Sequence, residues 1–446
     1  MIRRIQIVAF AFAAIATFVL LYPYNQDTAN AEIPYTVNVL HVGAKGDGKS
    51  NDSKAFATAL RKVSENKNGG VVLVPKGEYL IDIAEPLYVR SNVSIVGQSK
   101  PVLTFKNFSA TDSFGYEGFD IRGSNITING LKIDAGFKLI RGIGIHSNAK
   151  NIKVINSVIQ NITQSKNPNS SAYEATVSGI LVYGGTSDIT IDKNVIRNIY
   201  AFNADPVARG IMVYAEDDLP YAQRVKITNN YISNIKPRDD ADGIYFDMPE
   251  KDAVSSGSIV DSNTITHVAK RGIKISVQGV TVSKNHITNV YLNNNNYMYP
   301  KWDAVPQDMF AGISVYASNV VVRDNVIDGV GSYYAGIEAD LGDLRNIAIY
   351  NNTISNGAKA NIKNTNGIRL GSINSFKVHG NNITNMQTGI FSPVTDTQVG
   401  TIKTNTIDKI DFGIRFTLYT EYKNSKVVVS NNVITARKLK IEALPD

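Results

Sequence analysis

The sequence predicts an all-β chain coiled into one parallel β-helix, and three observations carry that expectation. A Gly-Ile pair recurs ten times, at Gly142, Gly179, Gly210, Gly243, Gly272, Gly312, Gly336, Gly367, Gly389 and Gly413. The intervals run from 22 residues (Gly367 to Gly389) to 40 (Gly272 to Gly312). Each pair is followed by a second apolar stretch and then Asn-x-Ile, often with another Asn behind it, as in Asn194-Val195-Ile196-Arg197-Asn198 and Asn230-Tyr231-Ile232-Ser233-Asn234. The stretches between are short, β-branched and alternating, for example Val225-Lys226-Ile227-Thr228 and Val280-Thr281-Val282-Ser283. Period-two strands at a repeat of this size belong to a solenoid. No helical pattern falls inside the repeat, which favours a β-helix over a leucine-rich horseshoe.

Each element then has a physical assignment. The repeated Ile stacks coil on coil as an inward column, and Asn at a fixed turn stacks as an amide ladder. Variable intervals mark loops inserted at one turn, which usually build the working face. Before the repeats, Asp52 is placed to cap a helix running to Glu65 whose apolar face is Ala55, Phe56, Ala59, Leu60 and Val63. One helix ahead of a β-solenoid reads as an end cap over an otherwise exposed core. At the start of the chain, Arg3 and Arg4, the apolar run Ile5 to Leu21 and the small-x-small tripeptide Ala29-Asn30-Ala31 form a secretory signal cleaved after Ala31. An uncleaved anchor is the alternative reading of that run. Residues 32–446 are expected as a single domain, secreted or periplasmic and monomeric.

Composition narrows the chemistry. The 446 residues contain no cysteine, which excludes disulfides, a thiol nucleophile and cysteine-ligated metal, and five scattered His make a histidine cluster improbable. Lys+Arg 46 against Asp+Glu 39 gives +7, a balance compatible with an acidic partner such as an anionic polysaccharide, a nucleic acid or a membrane surface.

The opening Val42-Gly43-Ala44-Lys45-Gly46-Asp47-Gly48, then Asn51-Asp52-Ser53, then Gly69-Gly70-Val71-Val72-Leu73-Val74-Pro75-Lys76-Gly77-Glu78-Tyr79, resembles that of pectin-lyase-like right-handed β-helix proteins. Polygalacturonases, some polysaccharide lyases, alginate epimerases and phage tailspikes share it. The resemblance implies a right-handed coil without identifying the reaction, because these families share scaffold rather than chemistry. Asp242-Gly243-Ile244 is similar to the first Asp-Gly-Ile element of polygalacturonases, whose Gly-His-Gly and Arg-Ile-Lys elements have no counterpart here. Tyr245-Phe246-Asp247-Met248-Pro249-Glu250 is similar to the Tyr-x-Phe-Asp-Pro-His-Glu element of alginate epimerases, without its His.

Strand parity locates a site. If each repeated Ile points inward, residues one and three positions later point outward in columns. The nearer column contains Tyr245, Lys274 and Glu338, and the farther column contains His146, Tyr214, Asp247, Tyr316 and Asp340. The residues before each Gly place Arg209, Asp242 and Arg271 in a vertical stack. Arg209, Asp242, Tyr245, Asp247, Arg271 and Lys274 are the candidate catalytic set, against the reading of a solvated, charge-alternating sheet face. Tyr214, Trp302, Tyr316, Glu338, Asp340 and His146 are the candidate substrate contacts, with Trp302 in an aromatic loop of the longest interval.

β-Elimination from a uronate needs a cation on the carboxylate, a base for the C5 proton and an acid for the leaving oxygen. Arg209 or Arg271 suits the first role, Lys274 the second if neighbouring Arg271 lowers its pKa, and Tyr245 or Tyr214 either the second or the third. Hydrolysis needs two carboxylates roughly 5–9.5 Å apart. Asp242 and Asp247 on one extended strand would be about 16 Å apart, whereas Asp247 with Glu216, Asp217 or Asp218 remains open. Lyase chemistry is therefore the leading expectation, with hydrolysis, epimerisation and a non-catalytic polysaccharide-binding module as alternatives. No metal is assigned. Ca2+ is the one candidate ion, at Glu216-Asp217-Asp218 or Asp239-Asp240-x-Asp242, whose spacing matches no defined calcium loop. Nucleic acid and membrane are not expected as partners once the signal is cleaved.

Overall fold

The computed structural model describes residues 34–82, 85–106, 114–203, 207–236, 241–249, 254–290, 311–329, 335–357, 362–371, 373–395, 397–418 and 425–445. The expected signal segment, Trp302 and its aromatic loop, and Asp239 and Asp240 lie outside these residues. From Tyr35 onward the chain is a right-handed parallel β-helix. One face is a 14-stranded parallel sheet running from Thr36–Asn38 to Lys426–Ser430. The other strands form two further parallel stacks. One holds the Gly-Ile strands, such as Val177–Val182, Ala208–Val213, Ala241–Phe246 and Arg271–Ile275. The other holds the strands that follow the first Asn of each repeat, such as Val195–Tyr200, Tyr231–Lys236 and Thr264–Val268. No described helix is long and apolar enough to cross a membrane.

The Ile column is continuous. Ile143, Ile180, Ile211, Ile244, Ile273, Ile313, Ile337, Ile368, Ile390 and Ile414 pair in register, each fully buried. The preceding glycine has its own steric cause. A Cβ on Gly243 would sit 2.6 Å from Gly272 O and 2.8 Å from Ile265 Cγ2, so it would point into the core. Glycine and isoleucine therefore face inward in succession, which breaks strict alternation. The residues on either side, Asp242 and Tyr245, emerge on the same outer face.

The Asn ladder runs unbroken through Asn194, Asn230, Asn263, Asn285, Asn325, Asn352, Asn381, Asn405 and Asn432. At one rung, the backbone N–H and Nδ2 of Asn285 both donate to Asn325 Oδ1, at 2.9 and 3.0 Å. Asn285 Nδ2 also donates to Val260 O on the coil before, at 2.9 Å. The second Asn of the repeat meets a different demand. Asn198, Asn234 and Asn289 have φ of 59°, 61° and 49°, the left-handed region that Asn tolerates best after Gly. His267 stands at this position with φ 55°, in agreement with a structural role.

Helix Ser53–Glu65 buries all five expected residues against the first coils. Asp52, however, does not cap it with its side chain. Its carboxylate instead accepts from the backbone N–H of Lys45 (2.6 Å) and Gly46 (3.2 Å), tying down the preceding loop. Asn51 Oδ1 serves the helix start in its place, accepting from Ser53 N at 3.0 Å.

The ladder gives a direct test. Asn325→Ala removes the acceptor for Asn285 N–H and the donor to Val282 O. The buried backbone N–H and Nδ2 of Asn285 lose their shared acceptor, and urea denaturation should show a loss of about 2 kcal/mol. Replacing exposed Lys377 by Ala should cost about 0.5 kcal/mol or less.

Candidate active site in the outer groove

The three outer columns form as the parity argument requires. Met212, Tyr245, Lys274, Ser314, Glu338 and Arg369 follow one another in register along the nearer column. In the farther column, backbone N–H groups of Tyr214, Asp247, Ser276, Tyr316 and Asp340 each donate to the coil before. Arg209, Asp242 and Arg271 pair at the strand starts.

Depth separates these residues into a floor and a surface. Arg209, Asp242 and Arg271 are 1%, 0% and 3% exposed, and Glu338 is fully buried. Arg209 Nη1 and Arg271 Nη1 lie 3.4 and 3.7 Å from the two Asp242 oxygens. The stack expected to grip a substrate carboxylate is thus committed within the protein. The reason is the tyrosine layer above it. The Arg209 guanidinium lies 4.6 Å from the Tyr245 ring centre, and that of Arg271 lies 5.6 Å from the Tyr316 ring centre. Asp242 is also lost to the proposed Ca2+ cluster, since two guanidiniums flank it.

Lys274, Asp247, Tyr316, Asp340 and Arg369 are partly exposed and Tyr214 is exposed. Lys274 Nζ sits 4.4 Å from the Tyr245 ring centre and 5.8 Å from that of Tyr316. The Tyr245 hydroxyl donates to Asp247 Oδ1 at 2.6 Å, and Met248 N donates to the same oxygen at 2.9 Å. On the next rungs, Arg271 Nη2 donates to the Tyr316 hydroxyl at 3.3 Å. That hydroxyl donates in turn to Glu338 Oε1, which also accepts from Ser314 Oγ at 2.7 Å. Arg369 Nη1 pairs with Asp340 at 2.9 Å. A cavity of about 510 Å³ adjoins the farther column, lined by Met248, Ser276, Gln278, Tyr316 and Arg345 among others.

Burial first, and the nearby carboxylate second, hold the Tyr245 and Tyr316 hydroxyls far above the ordinary phenol value. Both are therefore neutral proton donors. Tyr183 is pushed up to about 12, mainly by burial. Burial also raises the Glu338 carboxyl, outweighing Arg271, the Tyr316 and Ser314 hydroxyls and Arg369.

His146 falls outside this centre. Its Nε2 lies 2.7 Å from Glu117 Oε1, and its ring stacks on Tyr183 with centroids 4.5 Å apart. Sequence reading missed Glu117 and Asp120 because their coil carries Gly118-Phe119 where later coils carry Gly-Ile. The register Phe119↔Ile143 identifies it, and an apolar residue of any kind after Gly was the available signal.

The stacked coils and outer groove define a pectate-lyase-like β-helix protein. Residues 36–312 match the model of the rhamnogalacturonase A/epimerase, pectate lyase-like family, and the chain belongs to that family. It is similar to the SPbeta prophage-derived uncharacterized protein YomE of Bacillus subtilis (strain 168), 26% identical over 291 residues. That match covers 63% of this chain but 42% of the relative, so the chain spans less than half of YomE. In fold it is similar to the surface protein and adhesin PfbA of Streptococcus pneumoniae, with TM-score 0.58, 14% identity, and 92% and 100% of the two chains covered. It is also similar to the catalytic unit of the GH87 α-1,3-glucanase of Streptomyces thermodiastaticus strain HF3-3. There the TM-score is 0.55 at 14% identity, with 91% and 69% covered.

Glu338 supplies a pH test. Its folded carboxyl keeps its proton above the ordinary value of 4.5, where the unfolded chain has released it. Its contribution is complete below that pH and is lost as pH rises through the folded value. Urea denaturation from pH 4 upward should show wild-type stability falling relative to Glu338→Gln, by at most about 1.4 kcal/mol per pH unit. Parallel profiles would show that Glu338 is ionised in the folded protein.

Proposed function

We propose that the protein is an exported enzyme that cleaves an acidic, uronate-containing polysaccharide by β-elimination. The observation that carries this reading is the Lys274–Tyr245–Asp247 arrangement. A partly exposed amine lies 4.4 Å over a phenol ring whose neutral hydroxyl is held at 2.6 Å by a carboxylate. In this reading Lys274, as its neutral amine, takes the C5 proton while the C4–C5 double bond forms and the C4–O bond breaks. Tyr245 protonates the leaving oxygen, and Asp247 orients Tyr245. Arg209 and Arg271 contribute positive potential from beneath the tyrosine layer in place of a direct fork on the substrate. Tyr214, Tyr316 and the 510 Å³ cavity beside it supply surface for neighbouring sugars. Family membership supports a carbohydrate substrate, and the N-terminal Arg3-Arg4, apolar run and Ala29-Asn30-Ala31 support export.

Hydrolysis is the second reading, favoured by one observation. The Tyr214 hydroxyl is raised by burial and then by the charges of Asp247, Asp217 and Glu216, the carboxylates weighed for hydrolysis. Asp247 and Asp340 cannot be the hydrolytic pair, because three rungs at about 4.8 Å separate them.

The purified chain should be assayed on a panel of uronate polymers for the ultraviolet chromophore of an unsaturated uronate. New reducing ends without that chromophore would mean hydrolysis. Solvent-proton exchange without cleavage would mean epimerisation, and binding without turnover would mean a non-catalytic module. With elimination established, Lys274→Ala and Tyr245→Phe should each lower kcat by about 100-fold or more, while polymer affinity stays within about threefold because the lost interactions act in the transition state. Wild-type turnover in Lys274→Ala would sink the assignment.

A further inference from the structure

The strand Gly115–Ile121 lies one coil before the first Gly-Ile repeat and presents Glu117 and Asp120 on the outer face. His146, from the next coil, closes over them. Its Nε2 lies 2.7 Å from Glu117 Oε1 and 3.6 Å from Asp120 Oδ1, and one ligand atom from each of the three residues fits within 4.8 Å of the others. Both carboxylates are buried, at 5% and 1% exposure.

A second observation points to a cation. Glu117 Oε2 is buried and accepts no hydrogen bond, although the Glu117 side chain is only 6% exposed. The hollow it occupies exists because the rung beneath is Gly144, where successive coils carry Leu181, Met212 and Tyr245. A Cβ at Gly144 would stand 1.7 Å from Glu117 Oε2 and 2.9 Å from His146 Nε2. The neighbouring cations leave this oxygen bare. Arg122 Nε reaches both oxygens of Asp120, at 2.9 and 3.0 Å. Arg141 pairs across the strands with Glu117 in register, but its Nη1 donates to the Tyr183 hydroxyl at 2.9 Å. A buried carboxylate oxygen with no donor is costly unless something else compensates it.

We propose that Glu117, Asp120 and His146 bind a divalent transition-metal ion of the zinc or manganese type. Two carboxylates balance the ion's charge. The imidazole nitrogen selects for such ions over Ca2+ and Mg2+, which take oxygen ligands. Three protein ligands leave coordination positions for water or a sugar oxygen. Tyr183, stacked on the His146 ring at an 18° interplanar angle, fixes the orientation of that ligand. His146 stands three rungs from Asp247 in the same column, about 14 Å at 4.8 Å per rung. The ion would act as an anchor at one end of the groove, and this inference does not depend on the elimination chemistry.

The test is binding of the ion itself, without polymer. The full chain, stripped with chelator, is titrated with Zn2+ and separately with Mn2+ by calorimetry, and with Co2+ followed by its visible absorption. Saturation at one ion per chain is expected. His146→Ala and Glu117→Gln, each checked for wild-type circular dichroism, should weaken binding by about 10-fold or more. The absence of stoichiometric binding by the wild-type chain overturns the site, whatever the variants do. Equal affinity in wild type and both variants does so as well, since it moves the ion to one of the other histidines.

Discussion

The structure depends on the missing side chain at each Gly-Ile step. Coils approach so closely there that a methyl group on Gly243 would collide with Gly272 O of the next coil and Ile265 Cγ2 of its own. The same contact recurs at Gly142, Gly179, Gly210, Gly272, Gly336, Gly367, Gly389 and Gly413. Two inward positions in succession bend the chain, and the bend turns the residue before the glycine outward beside the residue after the isoleucine. Asp242 and Tyr245 meet for that reason, and so do Arg209 and the Tyr245 ring.

That meeting produces a groove with charge beneath and hydroxyls above. Arg209, Asp242, Arg271 and Glu338 lie out of water, so each guanidinium is held against a carboxylate or a tyrosine. Buried pairs of this kind add little net stability but forbid other arrangements of their partners. Here they fix the two tyrosine rings, Tyr245 and Tyr316, between which Lys274 reaches the surface. The hydroxyls are neutral because the layer is buried and each donates to a carboxylate. The groove therefore offers a proton donor next to an amine without exposing a bare charge on its floor.

Much of this was legible in the sequence, and the reason differs by residue. The Ile column, the Asn ladder and the buried face of the capping helix follow from periodicity, which a stacked architecture repeats coil after coil. Parity also placed Tyr245, Asp247, Lys274 and Glu338 in their columns. Parity gives direction but not depth, so the burial of Arg209, Asp242, Arg271 and Glu338, the last expected as a substrate contact, could not be read from it. Asp52 shows a second limit: a carboxylate beside a helix start has more than one backbone N–H within reach, and Lys45 and Gly46 take it. Glu117 and Asp120 escaped because Phe119 replaces the isoleucine that marked every later coil.

The nearer column carries a further consequence. From Gly144 it runs through leucine, methionine, tyrosine, lysine, serine, glutamate and arginine to Phe391. The isoleucines one residue earlier never vary along the same stretch. Backbone hydrogen bonding between coils is indifferent to what stands on these rungs, so the scaffold behaves as a rack with interchangeable slots. Specificity in such a protein can drift by exchanging one slot at a time, while the folding instructions, written on the opposite side of the same strands, are left untouched.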